Sequence, residues 1–261
     1  MKKNYHPYHI ITPSPWPFVL SINVLLMIMG LLLMLHYHSF ILLFIGLTFV
    51  LFSFSFWIRD IIRESTFQGA HTKAAVKGLR IGFILFLASE VMLFVSFFWA
   101  FFHSSLSPAV GIGCMWPPMG LTPLNVYSIP LLNTAILLSS GVTVTWCHHA
   151  LISGNKQEAC RSLIITIILG LIFTGFQIFE YFEAAFSIAE SVYGSTFYIT
   201  TGFHGLHVIV GTLFLTVCFF RLYQFHFTLT NHFAFEAASW YWHFVDVIWL
   251  FLYIFIYWWG S

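Results

Sequence analysis

Residues 81–102, IGFILFLASEVMLFVSFFWAFF, form an apolar run whose single charge is Glu90. At ~1.5 Å of rise per helical residue, such a run crosses the ~30 Å hydrocarbon core of a bilayer. Counted from Arg80 at the same rise, Glu90 lies ~15 Å deep, near the midplane. A carboxyl group is costly to place there, so its presence implies a role.

The rest of the chain has the same character. A soluble domain carries roughly 25% charged residues; here 7% are charged and 59% hydrophobic over 261 residues, so lipid is the solvent for most of the surface. Six further runs, 16–35, 40–58, 127–147, 163–182, 196–220 and 237–258, approach or exceed the ~18 apolar residues that a transmembrane helix requires. The reading is an all-α polytopic membrane protein with seven transmembrane helices, a single integral membrane domain over 1–261 with no stretch left for a separate aqueous core. The cations give an independent check. Lys2 and Lys3 precede span 1, Arg59, Arg63, Lys73, Lys77 and Arg80 lie between spans 2 and 3, Lys156 and Arg161 between 4 and 5, and Arg221 follows 6. With seven crossings all of them fall on one side, while 36–39, 103–126, 183–195 and the residues after 258 hold no Lys or Arg. This asymmetry places the N-terminus inside. The opening MKKNYHPYHIITPSPWP lacks the pattern of a secretory signal, and insertion as made is expected. A net charge of +1 without a basic, aromatic-interleaved run excludes nucleic acid as a partner.

The four residues 36–39 join spans 1 and 2 in a tight hairpin, and the charged connection 59–80 is long enough to let that hairpin stand apart, which allows a two-helix plus five-helix arrangement. The 103–126 segment, with Pro108, Pro117, Pro118, Pro123, Gly111, Gly113 and Gly120, reads as an ordered outer loop. Trp16, Trp57, Trp99, Trp240, Trp242, Trp258 and Trp259 fall near span ends, where amphipathic rings anchor depth. Cys114, Cys147, Cys160 and Cys218 form no C-x-x-C pair and read as buried small hydrophobes rather than a disulfide framework or thiolate metal site.

Glu90 has two readings: a proton-exchanging or conformation-coupled group, or a neutral acid hydrogen-bonded to a neighbouring helix; its own span holds no second acid to form a relay. In spans 6 and 7, His204 and His207 share one helix face at i, i+3, as do His243 and Asp246. Adjacent antiparallel helices would bring the four together as an interhelix polar cluster, read as cross-helix hydrogen bonding in preference to a metal site. H-x-x-H spacing puts both rings at nearly one level, unlike the separated ligands of paired b haems. His148, His149 and His103 are explained by interfacial positions. Gln177, Glu180 and Glu183 form a stripe at the outer end of span 5 and read as a solvated rim. Arg59, Arg63, His71 and Arg221 lie near inner span ends and suit lipid headgroups. Nucleotide, acyl and zinc-hydrolase motifs are absent, so the chain has no catalytic residue and no metal site by this reading.

The strings SPWP (14–17), RDIIRESTFQGAHT (59–72), FLASEVMLFVSFFWAFFHSSLSP (86–108), WPPMG (116–120), PLLNTAILLSSGVTVTWCHHAL (130–151), VYGSTFYITTGFHGLHVIVGTLFLTVCFFR (192–221) and FEAASWYWHFVDVIWLFLYIFIYWWGS (235–261) resemble the mitochondrial cytochrome c oxidase subunit 3 family. The resemblance implies a V of two and five helices whose cleft holds phospholipid, in the mitochondrial inner membrane with the N-terminus on the matrix side. It implies a place beside catalytic subunit 1 and other subunits of a complex that oxidises cytochrome c, reduces oxygen to water and pumps protons. Haem and copper are expected in those partner subunits and none on this chain. Glu90 matches the family's buried acid, and Arg63, Glu64, His71 and Arg221 match positions near the lipid cleft; with Trp57, Arg59 and His226 they make the candidate phospholipid-binding set.

Overall fold

The computed structural model describes residues 8–260, so Lys2 and Lys3, two of the cations used to orient the chain, lie outside it. Among the described residues the regular structure is wholly helical. Seven helices are long and apolar enough to cross a membrane: α1 (Trp16–Tyr37), α2 (Ile41–Thr66), α3 (Lys73–Leu106), α4 (Ile129–Ile152), α5 (Lys156–Glu183), α6 (Val192–Tyr223) and α7, whose end widens into a π-helix (Phe233–Leu252, then Tyr253–Trp258). The chain divides into two compact units, Met1–Leu79 and Arg80–Ser261.

Two helices run well past their apolar cores. α2 continues to Thr66 and α3 starts at Lys73, so the connection expected over 59–80 shrinks to residues 67–72. Hydropathy marks only the lipid-embedded part of a helix. Beyond it, Arg, Lys and Glu are good helix formers and carry the same hydrogen-bonded ladder into the headgroup layer. The loop expected over 103–126 begins later, because α3 runs to Leu106, and it holds a short 3-10 turn, Val110–Ile112.

In the first unit, α1 and α2 meet at their glycines. A Cβ on Gly30 would strike the backbone of Leu43, and one on Gly46 would come within 2.6 Å of the Met27 Cα, so the two backbones touch. Small residues permit this closeness in lipid, where dispersion and hydrogen bonds rather than water exclusion hold helices together. The Asn23 amide adds bonds to the Phe49 carbonyl and to Ser53 Oγ, both 3.2 Å, and the Trp16 indole N–H donates to Asp60 at 2.6 Å.

The second unit packs α4 to α7 around Trp242, which is 0% exposed. This corrects its expected place at the membrane interface. Its N–H donates to Ser140 Oγ on α4 at 2.8 Å, and its ring lies where a Cβ on Gly170 of α5 or Gly211 of α6 would come within 2.7 and 2.9 Å of it. About two turns further along α7, the Trp249 N–H donates to Thr134 on α4 at 2.9 Å. α3 joins by an aromatic seam in which Phe94 meets His207, Phe97 meets Phe203 and Phe98 meets Phe251. Of the cysteines, Cys147 and Cys218 are buried as expected, but Cys114 is exposed and Cys160 half-buried.

Trp242→Ala leaves an unfilled volume between α4, α5 and α6 and should cost about 3–5 kcal/mol, read as a lower thermal midpoint. Gly211→Val drives a side chain into the same indole and lowers the midpoint as well; an unchanged midpoint in both would show that this contact does not hold the bundle.

Candidate functional site

Glu90, 21% exposed, meets His207 of α6, 8% exposed, with 2.8 Å between Oε2 and Nε2. The polar partner absent from its own span is supplied from 117 residues away in sequence. Phe94, Tyr241 and Phe244 surround the imidazole, with ring centroids at 5.1, 6.1 and 6.1 Å. His207 Nδ1 is 2.7 Å from the Phe203 carbonyl. A carbonyl only accepts, so Nδ1 carries hydrogen. The short contact to Glu90 then needs one further proton, either on the carboxyl and given to Nε2, or on Nε2 and given to the carboxylate. The pair is neutral overall in both forms, which makes it tolerable in lipid and able to hold one proton in two places.

The expected four-residue cluster of spans 6 and 7 is not assembled. His204 turns inward and its Nε2 donates to the Val245 carbonyl at 3.2 Å, between Phe173 and Trp249. His243 and Asp246 face α4 instead: His243 Nε2 is 3.4 Å from Thr145 Oγ1, His243 Nδ1 is 3.8 Å from Asp246, and Asp246 lies against Gly141. The i, i+3 spacing gave each pair a shared face, but the two faces address different helices.

The stripe on α5 also departs from expectation. Glu180 is 1% exposed and Gln177 is buried, so neither belongs to a solvated rim. The π-turn ending α7 brings Tyr257 onto them, and its hydroxyl donates to Glu180 Oε1 at 2.5 Å while the Gln177 amide points at both, 3.4 and 3.5 Å away. Glu180 Oε2 and Gln177 Oε1 have no partner among the described residues.

The candidate lipid residues fall in both units. In the first, Arg59 pairs with Asp60 at 3.0 Å and lies over the Phe56 ring, Trp57 is half-buried and Arg63 exposed. Glu64 pairs with His9 at 3.3 Å, and the His71 ring stands 5.8 Å from that of His9. His9, Glu64 and His71 thus form a polar group of which the sequence reading saw two members. In the second unit Arg221 is half-buried with its guanidinium over Phe227, 4.7 Å away. Desolvation, helped by the Arg221 cation, lowers the His226 pKa below the ordinary imidazole value, so that ring stays neutral further into the acid range. His148, explained with His149 by an interfacial position, is brought beside His232 and Glu236.

A helical bundle whose intramembrane acids are engaged by other helices defines a multi-pass membrane protein. The sequence profile of cytochrome c oxidase subunit III matches residues 6–261. The cytochrome c oxidase subunit 3 of Pisaster ochraceus is 60% identical over 256 residues, 98% of each chain; those of Scyliorhinus canicula and Mammuthus primigenius are 58% and 57% identical over the full length of both. This chain belongs to the cytochrome c oxidase subunit III family, whose members are subunits of an oxidoreductase complex.

Tyr257→Phe keeps the ring and leaves the Glu180 carboxyl without its hydroxyl donor. The expected loss is about 1–3 kcal/mol, seen as a lower thermal midpoint. Combining it with Glu180→Leu removes the stranded carboxyl and should recover part of that loss.

Proposed function

We propose that this chain is a non-redox core subunit of cytochrome c oxidase in the mitochondrial inner membrane, with its N-terminus on the matrix side and catalytic subunit 1 as its neighbour. It carries no haem or copper; it supports electron transfer from cytochrome c to oxygen by stabilising the catalytic subunit, proton uptake and the access of lipid and oxygen. The observation that carries this reading is the Glu90–His207 pair, a neutral acid–imidazole unit at membrane depth in a chain of this family. A proton shared between two oriented groups is held in reserve, and a helix that must keep Glu90 against α6 is fixed in position at its middle. Phospholipid headgroups are bound on the first unit through Trp57, Arg59, Arg63, Glu64 and His71, and on the second through Arg221 and His226, since guanidinium groups near the membrane surface suit phosphate.

The rival reading makes the pair a fastener between α3 and α6, and Glu90→Gln separates the two. The amide still bonds to His207 but cannot take up or release the proton, so a fastening role tolerates it. The proton-holding role predicts several-fold slower proton uptake with haem and copper content unchanged, measured on the assembled complex. Complex depleted of this chain should also lose proton uptake rate or working lifetime; unchanged uptake, pumping and lifetime would leave a scaffold alone.

A further inference from the structure

Where α4 ends and α7 begins, three side chains converge away from the Glu90–His207 pair. His148 lies in the last turns of α4, His232 is the residue immediately before α7 and Glu236 follows it at i, i+4. One ligand atom from each lies within 4.8 Å of the other two. His232 Nε2 is 3.5 Å from Glu236 Oε1, and the two imidazole rings are 5.6 Å apart, edge to face. The Phe235 ring backs His148 at 5.8 Å.

The surroundings fix the chemistry of each donor. His232 Nδ1 is 3.1 Å from the Thr228 carbonyl, which only accepts, so the hydrogen sits on Nδ1 and Nε2 offers its lone pair to the cluster. This is the supporting bond that metal-bound histidines make. His148 Nε2 is buried and has no protein partner among the described residues. Glu236 is held by the Arg80 guanidinium, with contacts of 2.8 Å to Oε1 and 3.0 and 2.7 Å to Oε2. That grip orients the carboxylate, with Oε1 toward His232, while the positive charge of Arg80 holds cation affinity in check.

We propose that His148, His232 and Glu236 form a binding site for a zinc ion, with water in the fourth position. Two imidazoles and one carboxylate are a zinc donor set, whereas magnesium and calcium require oxygen ligands. Bonds of ~2.0–2.2 Å put tetrahedral ligand atoms about 3.3 Å apart. No pair of ligand atoms therefore has to close by more than about 1.5 Å on binding. The bound ion ties the end of α4 to the start of α7.

The test uses the assembled complex, washed with chelator and exposed to zinc chloride in excess magnesium, with crystals measured on both sides of the zinc absorption edge and bound zinc counted by mass spectrometry. The expected result is an anomalous peak between the three residues, and one zinc equivalent lost in His148→Gln and in Glu236→Gln. Both variants keep side-chain volume, and each is checked for unchanged haem content and thermal midpoint. No peak at this position, a zinc count equal in wild type and both variants, or displacement of the ion by magnesium would overturn the site.

Discussion

A membrane helix gains nothing from leaving water for its neighbour, because the lipid around it is as apolar as a protein core. What holds α4 to α7 together must therefore be close packing and hydrogen bonds, and both meet at Trp242. The indole is fully enclosed, gives its N–H to Ser140 and rests where Gly170 and Gly211 leave room for it. Four helices thus share one side chain. The same rule in smaller form brings α1 against α2 at Gly30 and Gly46, with Asn23 bonded across the contact.

Once the bundle is set, three of its polar side chains meet partners that only the packing supplies. Glu90 finds His207, Glu180 finds Tyr257, and His204 finds a backbone carbonyl of α7. None of these bonds lies within one helix. Each cancels part of the cost of a polar group in lipid, and each orients a group that could otherwise rotate. The Glu90–His207 pair differs from the others in joining an acid to an imidazole, the side chain used most widely for proton exchange, which makes it the contact best suited to holding a movable proton. The π-turn of α7 performs a related task at the far end of the helix, since the widened turn places Tyr257 over α5.

The charged end of the second unit follows different physics. Arg80, whose side chain is 46% exposed, grips Glu236 there, and charged side chains make ion pairs and clusters rather than single hydrogen bonds. His148, His232 and Glu236 come together because α4 ends beside the start of α7, not because either helix carries a metal motif. His9, Glu64 and His71 gather in the first unit for a similar reason, a non-helical segment passing the last turn of α2.

Hydropathy and the placement of Lys and Arg were enough to read seven crossings, the hairpin of α1 and α2, the loop after α3 and, through long matching strings, the family. Glu90 stood out by its depth alone. Sequence did not reveal that Trp242 is central, that Glu180 is buried, that α2 and α3 extend past the apolar core, or which residues Glu90 and His148 meet. The reason is the solvent. In water an apolar stripe marks the buried face of a helix, but in lipid both faces are apolar, so the pattern that fixes the number and length of the helices carries little information about which side faces protein. That choice was made only by the tertiary contacts, through the shapes of glycine and tryptophan and the direction of a few hydrogen bonds.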